Sequence, residues 1–349
     1  SGTNQSIWVD IYIPKDAENS YYQGTVVVKE NGTTTYEIPI ELGVWDFMLP
    51  DEPSGKTMLF ISYSDINTRY GGVPYPNLGE PADSLGRVAR ERHFLMAHRH
   101  KIPLIDGNDG PTIWTHDRPQ DYWIPALDGS MFTAANGYDG PGVGIGNGVF
   151  SIGTYGSWNT IWSDTSEAEM HTHTDGWESW FQANFPNTER FLYLIDESLD
   201  YPQTQQWASW VENNPGVGSQ LPTFATIDLT HAIDSVPSLD IAASWFTVGI
   251  TDDWENAYDS SNADPEKDFW FYNSKRPSTG SFMTEDDGVA LRQLMWCKYK
   301  KRISRWFFWE GTYYNNFFGG QGETNVFETA LTFGTVSYTH LTLPTNRCV

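Results

Sequence analysis

The sequence is poor in basic residues and in cysteine. Its 349 residues contain 21 Lys and Arg against 45 Asp and Glu, which gives a formal net charge of -24. A surface of this sign repels polyanions at long range, so we expect neither nucleic acid nor an anionic membrane as a partner. The two cysteines, Cys297 and Cys348, offer no disulfide framework, and the helical pattern around Cys297 predicts a buried free thiol.

Long apolar runs are also missing. No stretch reaches about 18 consecutive apolar residues, so we predict no membrane-spanning segment. The N-terminal residues SGTNQSIWVD contain neither the basic nor the apolar region of a signal peptide. The protein is therefore either cytosolic or a secreted or periplasmic protein whose signal peptide is absent from this sequence.

Aromatic residues, by contrast, are abundant. They make up 15% of the chain, with 16 Trp and 18 Tyr. Flat rings can cover the apolar faces of sugars while Trp N–H and Tyr O–H groups stay available for hydrogen bonds, so this composition suits carbohydrate binding. It suits a large β-rich core equally well, and composition alone does not separate the two.

The first 50 residues have the pattern of β-structure. The alternation in IWVDIYIP predicts a strand, and TVVVKENGTTTYEIPI predicts two strands joined by a tight turn at Asn31 and Gly32. The segment DEPSGK, which follows ELGVWDFMLP, is polar and contains Pro and Gly. We therefore place a domain boundary at residue 52.

Beyond this boundary, apolar strands alternate with helical patterns. Strands are predicted to start near residues 57, 102, 191, 222, 239, 268 and 304, and an eighth strand within 106–165, at about 149–155. Helices are predicted over 84–101 with Ser84 as N-cap, 166–184, 203–213 and 285–301. This alternation is typical of α/β proteins with a parallel sheet, and the number of units predicts a (β/α)8 TIM-like barrel over residues 53–334.

The stretch FLYLIDES ends an apolar strand in two adjacent carboxylates, Asp196 and Glu197. The carboxyl ends of the strands carry the chemistry in TIM barrels, so the pair is a candidate catalytic site. Glycoside hydrolysis needs a carboxylic acid that holds a proton near neutral pH, a role for which burial and a neighbouring charge would prepare Glu197. Asp196 points in a different direction and is a poor attacking group for the same anomeric carbon; it could instead orient a substrate 2-acetamido group, which then acts as the internal nucleophile. A helix N-cap is the alternative interpretation of the pair.

A second strand, WFFWEGTYY, ends in Glu310. As the eighth barrel strand it would bring Glu310 to the same rim as Glu197, where Glu310 could be the nucleophile of an ordinary retaining mechanism that needs no acetamido group. It could equally accept hydrogen bonds from sugar hydroxyls or form an ion pair in a loop. A non-catalytic carbohydrate-binding protein on a barrel scaffold is a further alternative.

Other polar and aromatic residues near predicted strand ends are candidates for sugar binding. They are Trp114, His116, Asp117, Tyr138, Asp139, Tyr155, Trp245, Asn273, Arg276, Trp309 and Tyr313. For the loop residues among them, an ordered surface loop is the competing interpretation. His171 and His173 are two positions apart and do not share a helix face, so we predict no metal site. The glycine-rich stretch GPGVGIGNG follows no apolar strand, so we predict no dinucleotide and no other cofactor.

Several of these stretches resemble one family. IWVDIYIPKDAENSYYQGTVVV and IPIELGVWDFMLP are similar to the β-sandwich that precedes the barrel in glycoside hydrolase family 123 and in the glycosidase-like proteins labelled domain of unknown function 4091. FLYLIDES resembles their strand-end Asp-Glu motif, and LRQLMWCKYKKRISRWFFWEGTYY resembles their closing Arg- and Trp-containing segment. The likeness covers most of residues 1–334.

The resemblance implies a partial antiparallel β-sandwich over residues 1–52 in front of the barrel. It implies removal of β-linked N-acetylgalactosamine by substrate assistance, with Glu197 as general acid/base and Asp196 as the group that orients the acetamido substituent. The motif here continues with Ser198 where the family would have Pro. We therefore expect an oligo- or polysaccharide substrate and, with it, a secreted or periplasmic location.

The last residues, TVSYTHLTLPTNRCV, do not continue this pattern. They resemble translated sequencing-adapter read-through of the kind found at the ends of metagenomic gene fragments. We expect residues 335–349 to be a non-native tail.

Overall fold

The computed structural model describes residues 9–105, 117–154, 166–244, 267–273, 280, 282 and 288–312. The chain divides into two compact units, Ser1–Pro50 and Asp51–Val349. The expected tail and the predicted site residues Trp114, His116, Tyr155, Trp245, Arg276 and Tyr313 lie outside the described residues.

The first unit contains the predicted hairpin. Strand β1 (Ser20–Glu30) pairs antiparallel with β2 (Thr33–Val44). The turn residues Asn31 and Gly32 have φ angles of 48° and 80°, the positive values that an Asn-Gly hairpin turn requires. The register gives the hairpin one apolar face, on which pairs such as Val26 with Ile38 lie opposite each other.

One expectation for this unit needs correction. Residues 9–14, the described part of IWVDIYIP, form no strand. The described part of the unit contains a two-stranded antiparallel sheet, which confirms a small β domain in front of the barrel, and the partial β-sandwich stays a prediction.

The second unit forms the predicted barrel. Its eight strands are β3 (Lys56–Phe60), β4 (Leu104–Ile105), β5 (Val149–Ile152), β6 (Glu189–Ile195), β7 (Thr223–Thr226), β8 (Ile241–Ser244), β9 (Asp268–Tyr272) and β10 (Arg305–Phe308). They pair in the order β4-β3-β10-β9-β8-β7-β6-β5, and every pairing is parallel. The (β/α)8 fold class is confirmed, and the eighth strand starts at Val149, as the sequence suggested.

The sheet has one seam, between β4 and β5. Within the described residues no backbone hydrogen bond joins these two strands, which stand at opposite ends of the strand order. A side chain spans the gap instead, because the Asn147 amide donates to the Leu104 carbonyl oxygen at 3.4 Å. The barrel wall is therefore a sheet of eight strands curled until its two edges face each other.

Helices flank the sheet. Those described are α1 (Tyr63–Gly71), α2 (Pro81–Arg99), α3 (Ile124–Leu127), α4 (Glu167–Asn184), α5 (Tyr201–Glu212), α6 (Leu229–Ser235) and α7 (Gly288–Lys301). Ser166 starts α4 with a complete capping box that includes Glu169. The predicted cap Ser84 is wrong, because α2 begins earlier, at Pro81, where a residue without an N–H suits the first turn. Cys297 is a free thiol, as predicted, but it is only half-buried on α7.

Strand alternation separates two apolar layers. On β6, Phe191 and Tyr193 point into the barrel, whereas Leu192 and Leu194 pack in the layer between the strands and the helices. The barrel interior is aromatic, with Tyr193 against Phe224 at a ring distance of 4.5 Å, in edge-to-face contact. Burying such a side chain contributes about 2 kcal/mol. Part of the aromatic content of the sequence therefore belongs to the core and not to a ligand site.

A charged cluster closes the amino-terminal end of the barrel. Arg305 at the start of β10 donates through Nε to Glu189 at the start of β6, at 2.7 Å, and Lys56 donates to the same carboxylate at 3.1 Å. Burial alone would raise the pKa of Glu189, but the two cations outweigh it and hold that pKa below its usual range. Next to this cluster, Lys298 of α7 is 4% exposed, and its ammonium donates to the Lys56 carbonyl oxygen at 3.4 Å.

Candidate active site

Asp196 and Glu197 follow directly on β6, the fourth strand of the barrel in chain order. Because the strands are parallel, their carboxyl ends meet at one rim, the end that holds the chemistry in TIM barrels. The residues of β6 up to Ile195 are apolar and pack into the two apolar layers on either side of the strand. The polar residues that follow therefore emerge at the rim.

Two hydroxyl groups hold the Asp196 carboxylate. The buried Tyr193 hydroxyl donates to Asp196 Oδ1 at 2.6 Å, and Thr226 Oγ1 at the end of β7 donates to the same oxygen at 2.7 Å. Among the described residues no hydrogen bond reaches Asp196 Oδ2. Burial, then the Asp196 charge and Tyr272, raise the pKa of Tyr193 well above its ordinary value of 10.0, so its hydroxyl remains a donor. The carboxylate is therefore oriented, with one oxygen left for a ligand.

Glu197 has an unusual backbone and an accessible side chain. Its φ angle is 46°, in the left-handed region that costs an ordinary residue about 1–2 kcal/mol. Its N–H donates to Thr226 Oγ1 at 2.6 Å, which helps to hold that conformation. Partial burial of the carboxyl, and then the negative charge of Asp196, raise the pKa of Glu197. A carboxyl group in this setting keeps its proton to higher pH than an ordinary glutamate.

Glu310 follows β10 but lies in different surroundings. It is 2% exposed, and its carboxyl lies close enough to the carboxyl of Asp65 on α1 to affect the pKa of Asp65. Burial raises the pKa of Asp65, while hydrogen bonds to Ser62 and Glu310 act against that rise. The segment is fixed to the end of β3, since Gly311 N donates to Phe60 O at 2.8 Å. These contacts favour a role in joining the first and last barrel strands, and a role of Glu310 as nucleophile stays a prediction.

Two other predicted residues meet beside Glu310. Trp309 packs against the apolar interior of the barrel, and its backbone N–H donates to Asn273 Oδ1 at 2.8 Å. Asn273 is buried, and its carbonyl oxygen accepts from Trp306 Nε1 at 2.6 Å. Asn273 therefore connects the ends of β9 and β10, whereas Trp309 lies at the mouth of the interior.

Asp117 contacts a helix. Its Oδ1 lies 2.5 Å from Nδ1 of His173 on α4, and its side chain rests on Gly176, where any Cβ would come within 2.6 Å of the Asp117 Cβ. His171 on the same helix faces another neighbour, the carbonyl oxygen of Trp210 on α5, at 2.8 Å. The two histidines thus have separate partners. No group of three or more His, Cys, Asp or Glu suited to a metal ion occurs in the described parts of the chain.

Tyr138 and Asp139 do not lie with the dyad. Asp139 forms an ion pair with Arg99, the last residue of α2, and Tyr138 packs edge-on against His98 one residue earlier. The end of α2 leads into the start of β4, so this is the amino-terminal end of the barrel, opposite the rim that carries Asp196. Burial raises the pKa of Tyr138 to about 12. The expectation that these residues line the same cleft as the dyad is corrected accordingly.

Three residues at the rim that carries the dyad were not predicted from the sequence. Thr226 and Tyr193 are β-formers inside apolar strands, and Asp65 lies in the first turn of a helix, where an acidic residue is ordinary. The spacing between Tyr193 and Asp196 gave no signal either, because side chains three positions apart on a regular strand point to opposite faces.

No helix in the described residues has the length and apolar character to cross a membrane. The sequence matches no protein-family profile and no curated protein sequence.

Solved structures do resemble the chain. A family 123 glycoside hydrolase from Clostridium perfringens superposes with a TM-score of 0.53 at 13% identity, covering 85% of this chain and 57% of that one. A family 5 glycoside hydrolase from Prevotella bryantii superposes with a TM-score of 0.36 at 7% identity, covering 74% of this chain and 89% of that one. A family 39 glycoside hydrolase from Bacteroides cellulosilyticus superposes with a TM-score of 0.34 at 11% identity, covering 88% of this chain and 65% of that one. The chain spans less than two thirds of the length of the family 123 structure and shares its fold, in line with the resemblance noted in the sequence.

Proposed function

We propose that this protein is a glycoside hydrolase that acts through Asp196 and Glu197. The observation that carries the proposal is the placement of the pair at the carboxyl rim of the barrel, where Asp196 is oriented by two hydroxyl donors and Glu197 is accessible with a raised pKa. One carboxylate acts as acceptor and the other as acid, which is the division of labour that glycoside hydrolysis needs.

In the proposed reaction Glu197 donates its proton to the glycosidic oxygen as the bond to the anomeric carbon breaks. The carbonyl oxygen of the substrate 2-acetamido group attacks that carbon and forms a cyclic intermediate. Asp196 Oδ2 accepts the acetamido N–H, which places the carbonyl oxygen and increases its nucleophilicity. Glu197, now ionised, takes a proton from water as the water attacks the anomeric carbon and opens the cyclic intermediate. This releases the sugar with its acetamido group restored and leaves Glu197 protonated again.

The substrate class that fits is a glycan with a terminal β-linked 2-acetamido sugar, as in the family that the fold resembles. A mechanism with Glu310 as nucleophile has less support, because its carboxyl is buried against Asp65. A glycan substrate suits a secreted or periplasmic protein.

The test uses paired substrates. We expect hydrolysis of 4-nitrophenyl N-acetyl-β-D-galactosaminide and none of 4-nitrophenyl β-D-galactoside, which lacks the acetamido group. Equal rates on both would contradict assistance and restore the alternative with Glu310. Affinity for these sugars in calorimetry without any cleavage would favour a binding protein instead.

Glu197→Gln tests the acid. We expect kcat to fall by about 10²–10⁴ on a disaccharide, whose poor leaving group needs the proton, and by less on the nitrophenyl substrate. The exposed Glu212 at the end of α5, changed to Gln, is the matched control and should keep wild-type rates. An undiminished rate of the Glu197 variant on the disaccharide would remove Glu197 from the mechanism.

A further inference from the structure

One hydroxyl group contacts both members of the dyad. Thr226 Oγ1 donates its only proton to Asp196 Oδ1 at 2.7 Å and accepts the Glu197 N–H at 2.6 Å. The Tyr193 hydroxyl also lies 3.3 Å from Thr226 Oγ1, but its closer partner is Asp196 at 2.6 Å. Thr226 is itself 5% exposed, at the end of β7, so its position is fixed by the sheet.

We infer that Thr226 is the positioning residue of the site, and that its single hydroxyl couples the orientation of Asp196 to the backbone conformation of Glu197. A hydroxyl that accepts a hydrogen bond becomes a better donor, so the Glu197 amide strengthens the bond that holds the Asp196 carboxylate. The bond to the amide in turn offsets the left-handed φ of 46° at Glu197.

The consequence is that one hydroxyl restrains both the Asp196 carboxylate and the backbone that carries the Glu197 side chain. Loss of the hydroxyl would leave the Glu197 amide without this acceptor, and the backbone could relax towards negative φ, which redirects the acid. The same loss removes one of the two described donors to Asp196 Oδ1, which loosens the orientation of its carboxylate. In the described structure the Tyr193 hydroxyl bonds to Asp196 and not to the Glu197 amide, so its removal should leave the Glu197 backbone in place. The expected effect of Thr226 on kcat rests on the proposed function, whereas its expected effect on the Glu197 backbone does not.

The experiment compares Thr226→Val, Thr226→Ser and Tyr193→Phe with wild type. The matched control is Thr223→Val, because Thr223 lies on the same strand and donates to another carboxylate, Asp240, at 2.7 Å, at the opposite end of the barrel. The first readout is hydrogen–deuterium exchange of the Glu197 amide, measured by mass spectrometry with residue-level fragmentation. The second is kcat on the acetamido substrate, in which recovery by the conservative Ser variant identifies the hydroxyl as the group that matters.

We expect the Glu197 amide to exchange about tenfold faster in Thr226→Val and at the wild-type rate in the Ser, Phe and Thr223 variants. We expect kcat to fall by about 10- to 100-fold in Thr226→Val and to recover in Thr226→Ser. Tyr193→Phe should lower kcat, because Asp196 loses one donor, without a change in the exchange of the Glu197 amide.

Unchanged amide exchange in Thr226→Val overturns the inference, whatever the rate. If wild type cleaves no glycoside, the proposed function fails, and the exchange pattern alone still decides the inference. If Thr226→Val does not fold, Thr226→Ala takes its place against Thr226→Ser. The inference would then be overturned if Thr226→Ala lost activity that Thr226→Ser did not restore. It would also be overturned if the Glu197 amide exchanged at the same rate in these two variants.

Discussion

Replacing Lys298 with methionine is expected to stabilise the folded protein. Lys298 lies on α7 with 4% of its surface exposed, and its described hydrogen bond is a long one, 3.4 Å to the Lys56 carbonyl oxygen. Burial, and then the nearby charge of Arg305, lower the pKa of Lys298 from 10.5 to about 7. The folded state therefore disfavours the charged form of this side chain, which water solvates freely in the unfolded chain.

The magnitude follows from the difference in pKa. Each unit corresponds to about 1.4 kcal/mol, so a drop from 10.5 to about 7 sets an upper limit near 5 kcal/mol for the cost of keeping Lys298 charged in the fold. Replacing buried charges by apolar side chains of similar volume typically gains about 1–4 kcal/mol, and we expect the gain of Lys298→Met in that range.

The sign of the pH dependence is fixed by the same shift. Between about pH 7 and about pH 10.5 the unfolded chain binds more protons at Lys298 than the folded one, so the wild type becomes more stable as pH rises through this window. The advantage of Lys298→Met should be complete below pH 7 and should vanish near pH 10.5.

The assay is urea unfolding at pH 6.5 and pH 9.5, followed by tryptophan fluorescence. Lys300→Met is the matched control, since Lys300 is an exposed lysine on the same helix, and substitutions at such positions change stability by about 0.5 kcal/mol or less. A Lys298→Met protein that is less stable than wild type at pH 6.5, or whose gain is equal at both pH values, would refute the reasoning.

Two further predictions concern the dyad and the charged cluster at the opposite end. Asp196→Asn should move the basic limb of the pH–rate profile to lower pH, because it removes the charge that helps to raise the pKa of Glu197; a limb that stays in place would contradict that coupling. Glu189→Gln should destabilise the fold by about 3 kcal/mol at pH 7, measured by urea unfolding, because it leaves Arg305 without its partner. The wild-type contribution of Glu189, whose pKa is lowered, should be present above pH ~4.3 and lost as pH falls through its folded-state pKa, so the two proteins should converge in acid.

The barrel could be predicted from the sequence because its signals are local and repeated. Each buried strand is a short apolar run, such as Met58–Phe60 in β3, whose parallel neighbours complete its backbone hydrogen bonds. The eighth strand at Val149 could be placed because a barrel of seven units would be incomplete. The start of α2 was misplaced because Ser84 is a good cap in isolation, whereas Pro81 sets the first turn earlier.

The site was predictable only in part. The position of Asp196 and Glu197 followed from the strand that carries them, and the structure places them at the expected rim. Tyr138 and Asp139 were assigned to the wrong end of the barrel. They lie in the long segment between β4 and β5, and the sequence does not show which end of the barrel such a segment packs against. Thr226 could not be identified, because its importance depends on a contact between strands that are 30 residues apart in the chain.

The seam between β4 and β5 has a mechanical consequence for the dyad. β6 is the neighbour of β5, so on one side the strand that carries Asp196 borders an edge strand and on the other a continuous ladder that leads through β7 and onward to β4. Among the described residues these two edges share the Asn147 side-chain bond and no ladder of backbone bonds, so sliding one edge past the other would break fewer hydrogen bonds than sliding at the other joints of the sheet. The described part of the barrel would therefore change its curvature at the lowest cost at this joint, one strand away from the strand that carries the dyad.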